Sequence, residues 1–320
     1  MQKKLLLTLL FVINLCAWAG FASAQSQEKF PNKPVKILIA YAPGGGEDRE
    51  VRGIAPYLSK YLGTNILIEN LPGASGGIGY AKAYRAKPDG YTLLTFGIPA
   101  PVIHEKIYPN SQFQCDRFTH IAAWSQGNNG LFVNAESWKT FPEFLEAAKS
   151  RTLSVGVSGR GSASHLSLLL FLKGLNLKVN AVPFGGAASI TALAGKHVDF
   201  VVVGTITAYP LVRGGNLRPL VILSKSKDDV YPDAPTLNDF KIDVPTASFI
   251  RGVVGPPGVP NDRVKILEQA FLKTMKDPKY LEWANNARVK IVPLDSKGYL
   301  QATVNLLKET EKVKDLFKEL

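Results

Sequence analysis

Short apolar runs recur along this chain, and glycine turns repeatedly separate them from stretches with one apolar face. VKILIA at residues 35–40 reads as a buried strand, followed by Gly44, Gly45 and Gly46. In residues 50–62, Val51, Ile54, Ala55, Leu58 and Leu62 share one helical face, and Gly63 stops the helix. Pro56 inside it predicts a kink or a late start. Residues 65–69 form the next strand, residues 72–79 a glycine-rich loop entering a helix to Ala86, and residues 91–96 another strand. Strand–helix–strand order with short connections predicts a mainly parallel sheet.

A second block repeats the plan. Strands are expected at residues 131–133, 153–157, 179–183, 199–203 and 218–223. A helix at 141–150 is capped by Thr140, the loop SGRGSASH (158–165) opens a helix ending near Gly174, and FGGAASITALAG (184–195) turns into another. Residues 199–203 carry the unbroken apolar run Phe200–Val203 after Asp199, which predicts a strand buried on both faces. After the proline-rich connector at 256–260, helices are expected at 262–275 and from Lys297 to the C-terminus. Two α/β blocks with a late return predict two lobes around a cleft, with ligands at the carboxyl ends of the strands.

The N-terminus places the chain. Lys3 and Lys4 precede an apolar stretch at residues 5–20, and Ala22-Ser23-Ala24 is a small-residue cleavage pattern, so residues 1–24 read as a secretory signal peptide. Cleavage removes two lysines from a formal charge of +12 and leaves Cys115 the only cysteine, so no internal disulfide is expected. Positive charge without a dense basic run points to anionic solutes, not nucleic acid. His104, His120, His165 and His197 have no metal-ligand spacing, and no metal or other cofactor is expected.

Three glycine turns each follow a strand and open a helix: residues 44–46, 159–161 and 185–186. Glycine backbone lets successive N–H groups converge on one ligand, and a helix N-terminus adds about half a positive charge. An anion held by main-chain N–H groups follows, with Ser158, Ser162 and Ser164 as hydroxyl donors or caps. Asp48 is expected to cap the next helix or hold the glycine loop. Glu47 reads most simply as a solvated first-turn acid, since turned inward it would oppose an anionic ligand. Residues 156–162 approach a phosphate-binding loop but lack its lysine, and residues 73–79 do not fit a dinucleotide fingerprint. Ser162 or Ser164 beside His165 is the one nucleophile–base pairing on offer. No catalytic constellation stands out.

FPNKPVKILIAYAPGGGEDREVRGIAPYLSKYLG, followed by NILIENLPGASGGIGYAKAYRAKPDGYTLL, closely resembles the opening of the tripartite tricarboxylate transporter receptors, also called Bug proteins. The resemblance continues in order through LSVGVSGRGSASHL, AVPFGGAASITALAGKHVDFVVVG, GNLRPLVILS, YPDAPTLNDF and RGVVGPPGVP. It implies the type II periplasmic binding protein fold: lobe 1 from residues 25–126 plus 249–320, and lobe 2 from residues 127–248. Lobe closure would bend near residues 125–130 and 245–252.

It also implies a periplasmic, non-catalytic receptor for a small organic acid, delivered to a membrane permease, with the receptor itself a monomer. A ligand-sensing subunit for a signalling partner, and a secreted hydrolase, are the alternatives. Matched onto this chain, the ligand would meet Tyr41, Pro43, Gly44, Gly45, Gly46, Glu47 and Asp48 from one lobe. Ser158, Gly159, Arg160, Gly161, Ser162 and His165 would face them from the other. Further lining falls to Gly97, Ile98 and Pro99, to Phe184, Gly185 and Gly186, to Gly204 and Thr205, and to Ser248 and Phe249. Glu47 stands where the family has a small residue, Gly185 where it often has lysine, and GIPAP (97–101) where it is more polar. These departures weigh against a tricarboxylate. They leave room for an aromatic or aliphatic monocarboxylate, or for a ligand with a hydroxyl or amine near Asp48.

Overall fold

The computed structural model describes residues 29–108, 110–184 and 188–313. The expected signal peptide at 1–24, Gly185, Gly186 and the part of the expected C-terminal helix beyond Val313 lie outside the described residues. The chain divides into Met1–Asn32 and Lys33–Leu320, and every element below belongs to the second unit.

Two mixed sheets carry the architecture. The first contains β1 (Val35–Ile39), β2 (Ile66–Asn70), β3 (Thr92–Thr95), β4 (Thr119–Gly127), β10 (Phe249–Gly255) and β11 (Ile291–Leu294), in the order β11-β4-β10-β3-β1-β2. The second contains β5 (Asn129–Asn134), β6 (Leu153–Val157), β7 (Val179–Pro183), β8 (Phe200–Gly204) and β9 (Leu217–Ile222), in the order β7-β6-β8-β5-β9. The expectation of mainly parallel sheets is corrected. β1 pairs parallel with β2 and β3, and β6 with β7 and β8, but β10 is antiparallel to β3 and β4, and β5 to β8 and β9. The reason lies in the crossings. β4 leaves the first sheet at its carboxyl end, so β5 starts there and runs back; β10 re-enters the first sheet from the same side.

The helices follow the glycine turns. They are α1 (Gly46–Leu62), α2 (Gly77–Tyr84), α3 (Ala100–Ile107), α4 (Phe141–Ser150), α5 (Ala163–Leu175), α6 (Ala188–Ala194), α7 (Thr205–Arg213), α8 (Asn261–Thr274), α9 (Pro278–Asn286) and α10 (Ser296–Val313). α1 starts four residues earlier than its apolar face suggests and runs unbroken through Pro56. Pro56 and Arg52 lie on the exposed face, so water can satisfy the Arg52 carbonyl that proline leaves without a donor. The opposite face buries Val51, Ile54, Ala55, Leu58 and Leu62, and Gly63 closes the helix at φ +69°.

Thr140 caps α4 by accepting from the Glu143 N–H at 3.4 Å. All five residues of β8 are buried, which agrees with a strand covered on both faces. The second sheet packs Leu131, Val155, Phe200 and Val202 against Phe144, Leu168 and Phe171. Around the first sheet, Leu38, Leu94, Phe96 and Val254 pack with Tyr80, Val102 and Tyr299. Each such fully buried apolar side chain contributes roughly 1.5–3 kcal/mol.

Candidate functional site

The carboxyl ends of β1, β3, β6 and β8 and the first residues of β5 and β10 meet at one cleft of about 700 Å³, counting the part open to solvent. From the first sheet's side it is lined by Tyr41, Ala42, Gly45, Gly46, Glu47, Asp48, Gly97 and Ala100. From the second sheet's side come Asn129, Ser158, Ser162, Ala163, Ser164, Gly204 and Thr207, while Phe249 and Arg251 enter from β10. Four helices, α1, α3, α5 and α7, present residues of their first turn or cap to this space.

The two acids after the glycine turn have different surroundings. Asp48 is buried and fully engaged: Oδ2 accepts from the Gly44 N–H at 2.9 Å, and Oδ1 from Arg52 Nε and Asn70 Nδ2 at 3.0 Å. Burial works against its charge, but the Arg52, Gly44 and Asn70 hydrogen bonds outweigh it and hold the carboxyl below its usual range. Asp48 therefore holds the glycine loop. The helix cap belongs to Gly45, which offers no side chain.

Glu47 is not a solvated acid. Its side chain turns into the cleft, where Thr95 Oγ1 donates to Oε2 at 3.0 Å and the Gly97 N–H donates as well. Burial raises its carboxyl above the ordinary value, with Arg251 and Thr95 opposing the shift. Gly97 makes this packing feasible, since a Cβ there would sit 2.0 Å from Glu47 Oε1. Gly46 is under similar constraint, as its Cβ would lie 2.6 Å from Arg251 Nη2.

Arg251 was missed by the sequence reading; the expected lining stopped at Phe249, two positions short. It is buried, its guanidinium lies 4.0 Å from the Phe249 ring centroid, and Nη1 donates to Glu50 Oε1 in a short contact. Glu50 Oε2 accepts further from Trp124 Nε1 at 3.0 Å and from Ser125 Oγ. A lone arginine opening the apolar run GVVG was the available signal. Asn129 and Thr207 were missed too; Asn129 Nδ2 donates to Ser167 Oγ at 2.9 Å and to the Ala247 carbonyl at 3.2 Å.

On the opposite wall, Ser162 caps α5, its Oγ accepting from the His165 N–H at 3.2 Å. Ser164 Oγ accepts from the Ser158 N–H at 3.2 Å and lies 3.0 Å from Ser162 Oγ. His165 is buried behind this turn: Nδ1 accepts from the Gly161 N–H at 3.0 Å, and burial pulls its imidazole down to about 4. Its ring braces the loop without bonding to either serine, which removes the geometric basis for a serine nucleophile and base.

The remaining expected residues divide clearly. Gly159, Arg160 and Phe184 line an adjoining hollow that shares Tyr41, Ala42, Ser158 and Ser162 with the cleft. Pro43 and Gly44 are exposed beside the cleft and do not line it. Ile98 is buried and bridges to Ile250, and Pro99 caps α3. Gly161 is buried beneath its loop, and Thr205 faces a separate hollow containing Asp228. Ser248 is exposed and accepts from Gln126 at 3.4 Å. Among the described residues no group of three or more His, Cys, Asp or Glu could hold a metal ion.

Two α/β layers that share a cleft at their strand ends, with helix N-termini facing into it, define a periplasmic solute-binding protein. Residues 51–320 match the model of the tripartite tricarboxylate transporter family receptor, TctC, and the chain belongs to that family. Among its relatives, the "UPF0065 protein in gbd 5'region" of Cupriavidus necator is 30% identical over 98% of this chain and 97% of its own. BugT of Bordetella pertussis is 27% identical over 86% of each. Among solved structures, MatC from Rhodopseudomonas palustris with bound malate superposes with a TM-score of 0.83 at 26% identity, covering 89% of this chain and 100% of that one. The family is periplasmic and its members are substrate-binding receptors, not enzymes.

Proposed function

We propose that this protein is exported by the signal peptide at residues 1–24, captures a small organic acid in the cleft, and delivers it to a tripartite tricarboxylate-type membrane permease. The observation that carries the reading is the pair of helix starts facing one cavity. The first-turn amides of Gly46 and Glu47 in α1, and of Ala163 and Ser164 in α5, have no acceptor within their own helices. Such amides, with the helix dipoles behind them, favour a carboxylate. The malate bound by the related MatC supports the same ligand class.

Lobe 1 comprises residues 25–126 plus 249–320 and lobe 2 residues 127–248. Closure bends the two crossings, which pass side by side where Gly127 pairs with Phe249.

A thermal-shift screen tests the reading. The exported protein, unfolded and refolded to strip any copurified ligand, is heated with carboxylates, neutral solutes and cationic solutes. A bound carboxylate at about 100 times its Kd adds roughly 2.7 kcal/mol, a shift of several degrees. Shifts with neutral or purely cationic solutes alone would overturn the carboxylate cradle.

A further inference from the structure

Glu47 introduces a negative charge into a cleft otherwise suited to anions. Asp48 is matched by Arg52 at 2.9 Å, and Glu50 is matched by Arg251. Glu47 has no ion-pair partner within 4.0 Å among the described residues. The cation nearest to it, Arg251, is already committed to Glu50. Of the roughly four lone-pair positions on a carboxylate, Thr95 and Gly97 take two. Glu47 itself lines the cleft.

Resting on the reading of this cleft as a carboxylate receptor, we propose that Glu47 forms a second subsite, which takes the ammonium group of a zwitterionic amino acid. The ligand carboxylate lies at the amides of α1 and α5, and its ammonium donates to the free Glu47 positions. A cation there supplies the missing partner of a carboxylate drawn away from water, whereas a second ligand carboxylate would meet like charge. A hydroxyl would satisfy the hydrogen bond but not the charge.

The groups packed around Glu47 do not supply that charge. Tyr41 and Tyr80 share a hydrogen bond of 2.7 Å and, like Tyr299, are held protonated by burial, so all three are neutral. Thr95 and Gly97 are uncharged, and Arg251 attracts Glu47 electrostatically but forms its ion pair with Glu50. Burial pushes the Glu47 carboxyl above its ordinary value, so a cation beside it would restore its charge.

Isothermal titration of the refolded protein tests this with carboxylates of three to six carbons. Each is offered as the plain acid, the terminal alcohol, the terminal amine, the α-amino acid and the diacid. The expected result is an amine or α-amino acid that binds at least about tenfold tighter than its plain, hydroxy and diacid counterparts. Glu47→Gln is expected to erase that preference while melting close to the native protein, and Glu47→Thr serves if the glutamine variant folds poorly. Tightest binding by a diacid, alcohol or plain acid would overturn the subsite and leave the receptor reading standing. So would an amine preference that survives both substitutions. Binding by no carboxylate at all would instead overturn the receptor reading beneath it.

Discussion

Arg251 of β10 donates to Glu50 of α1 across 201 positions of sequence, and the pair lies under the cleft with both side chains at most one-tenth exposed. The guanidinium rests on Phe249, and the carboxylate also takes the Trp124 indole and the Ser125 hydroxyl. The contact fixes a charged group at the cleft floor.

Removing one member of this pair leaves the other buried and unmatched. Arg251→Leu is expected to destabilise the protein by roughly 3–5 kcal/mol, and the double variant with Glu50→Leu to recover a large part of that loss. Chemical denaturation of the two single variants and the double checks it. Strict additivity would show that the two side chains do not act as a unit.

Gly97→Ala drives a methyl group into the Glu47 carboxylate, which must move. Overpacking of this kind costs about 1–3 kcal/mol. The larger effect is expected in ligand affinity, because the displaced carboxylate intrudes on the cleft. Melting temperature and ligand titration on the same sample separate the two contributions.

Ser162→Ala removes the cap of α5 together with the acceptor for the His165 amide. A loss of about 1 kcal/mol in stability is expected, typical of a missing N-cap. Ligand binding should weaken as well, since the first turn of α5 loses its anchor. Unchanged affinity at equal temperature would show that this turn is not part of the binding wall.

Acid sensitivity should come chiefly from buried histidines, His120 and His165 above all, with His104 lowered by burial in the same direction. Burial pulls His120 and His165 from 6.5 down to about 4. Between those values the unfolded chain binds protons that the folded one does not, so stability is full above pH 6.5 and falls as the pH drops toward 4. Below that both states are protonated and this loss levels off. Each histidine contributes at most about 1.4 kcal/mol per pH unit. Urea midpoints measured across this window should show a flatter slope in His120→Gln than in the native protein.

Local pattern was enough to place several elements. Leu153–Val157, Val179–Pro183 and Phe141–Ser150 are bounded by turn residues or a threonine cap, and the structure has them at the expected ends. β4 was not foreseen, because its apolar centre carries no alternation and its polar ends look like loop. α3 begins in a stretch with two prolines, and α9 has Pro278 as its first residue, so neither was foreseen although proline suits a first turn. The site was only partly visible for a different reason. Glycine turns announce backbone geometry, but Arg251, Asn129 and Thr207 gain their place only when distant strands meet. The inward turn of Glu47 depends on Thr95 and Gly97, which adjoin it through the β1–β3 pairing and not through sequence.

β10 sits between β3 and β4, so the first sheet stays in two pieces until residues 249–255 arrive. The second sheet, in contrast, is drawn entirely from the continuous stretch between residues 129 and 222. As the chain folds, the middle can therefore settle first, while the earlier segments wait on partners that come later in the sequence. The long interval between the strands of the first sheet makes its closure the slow event in assembly.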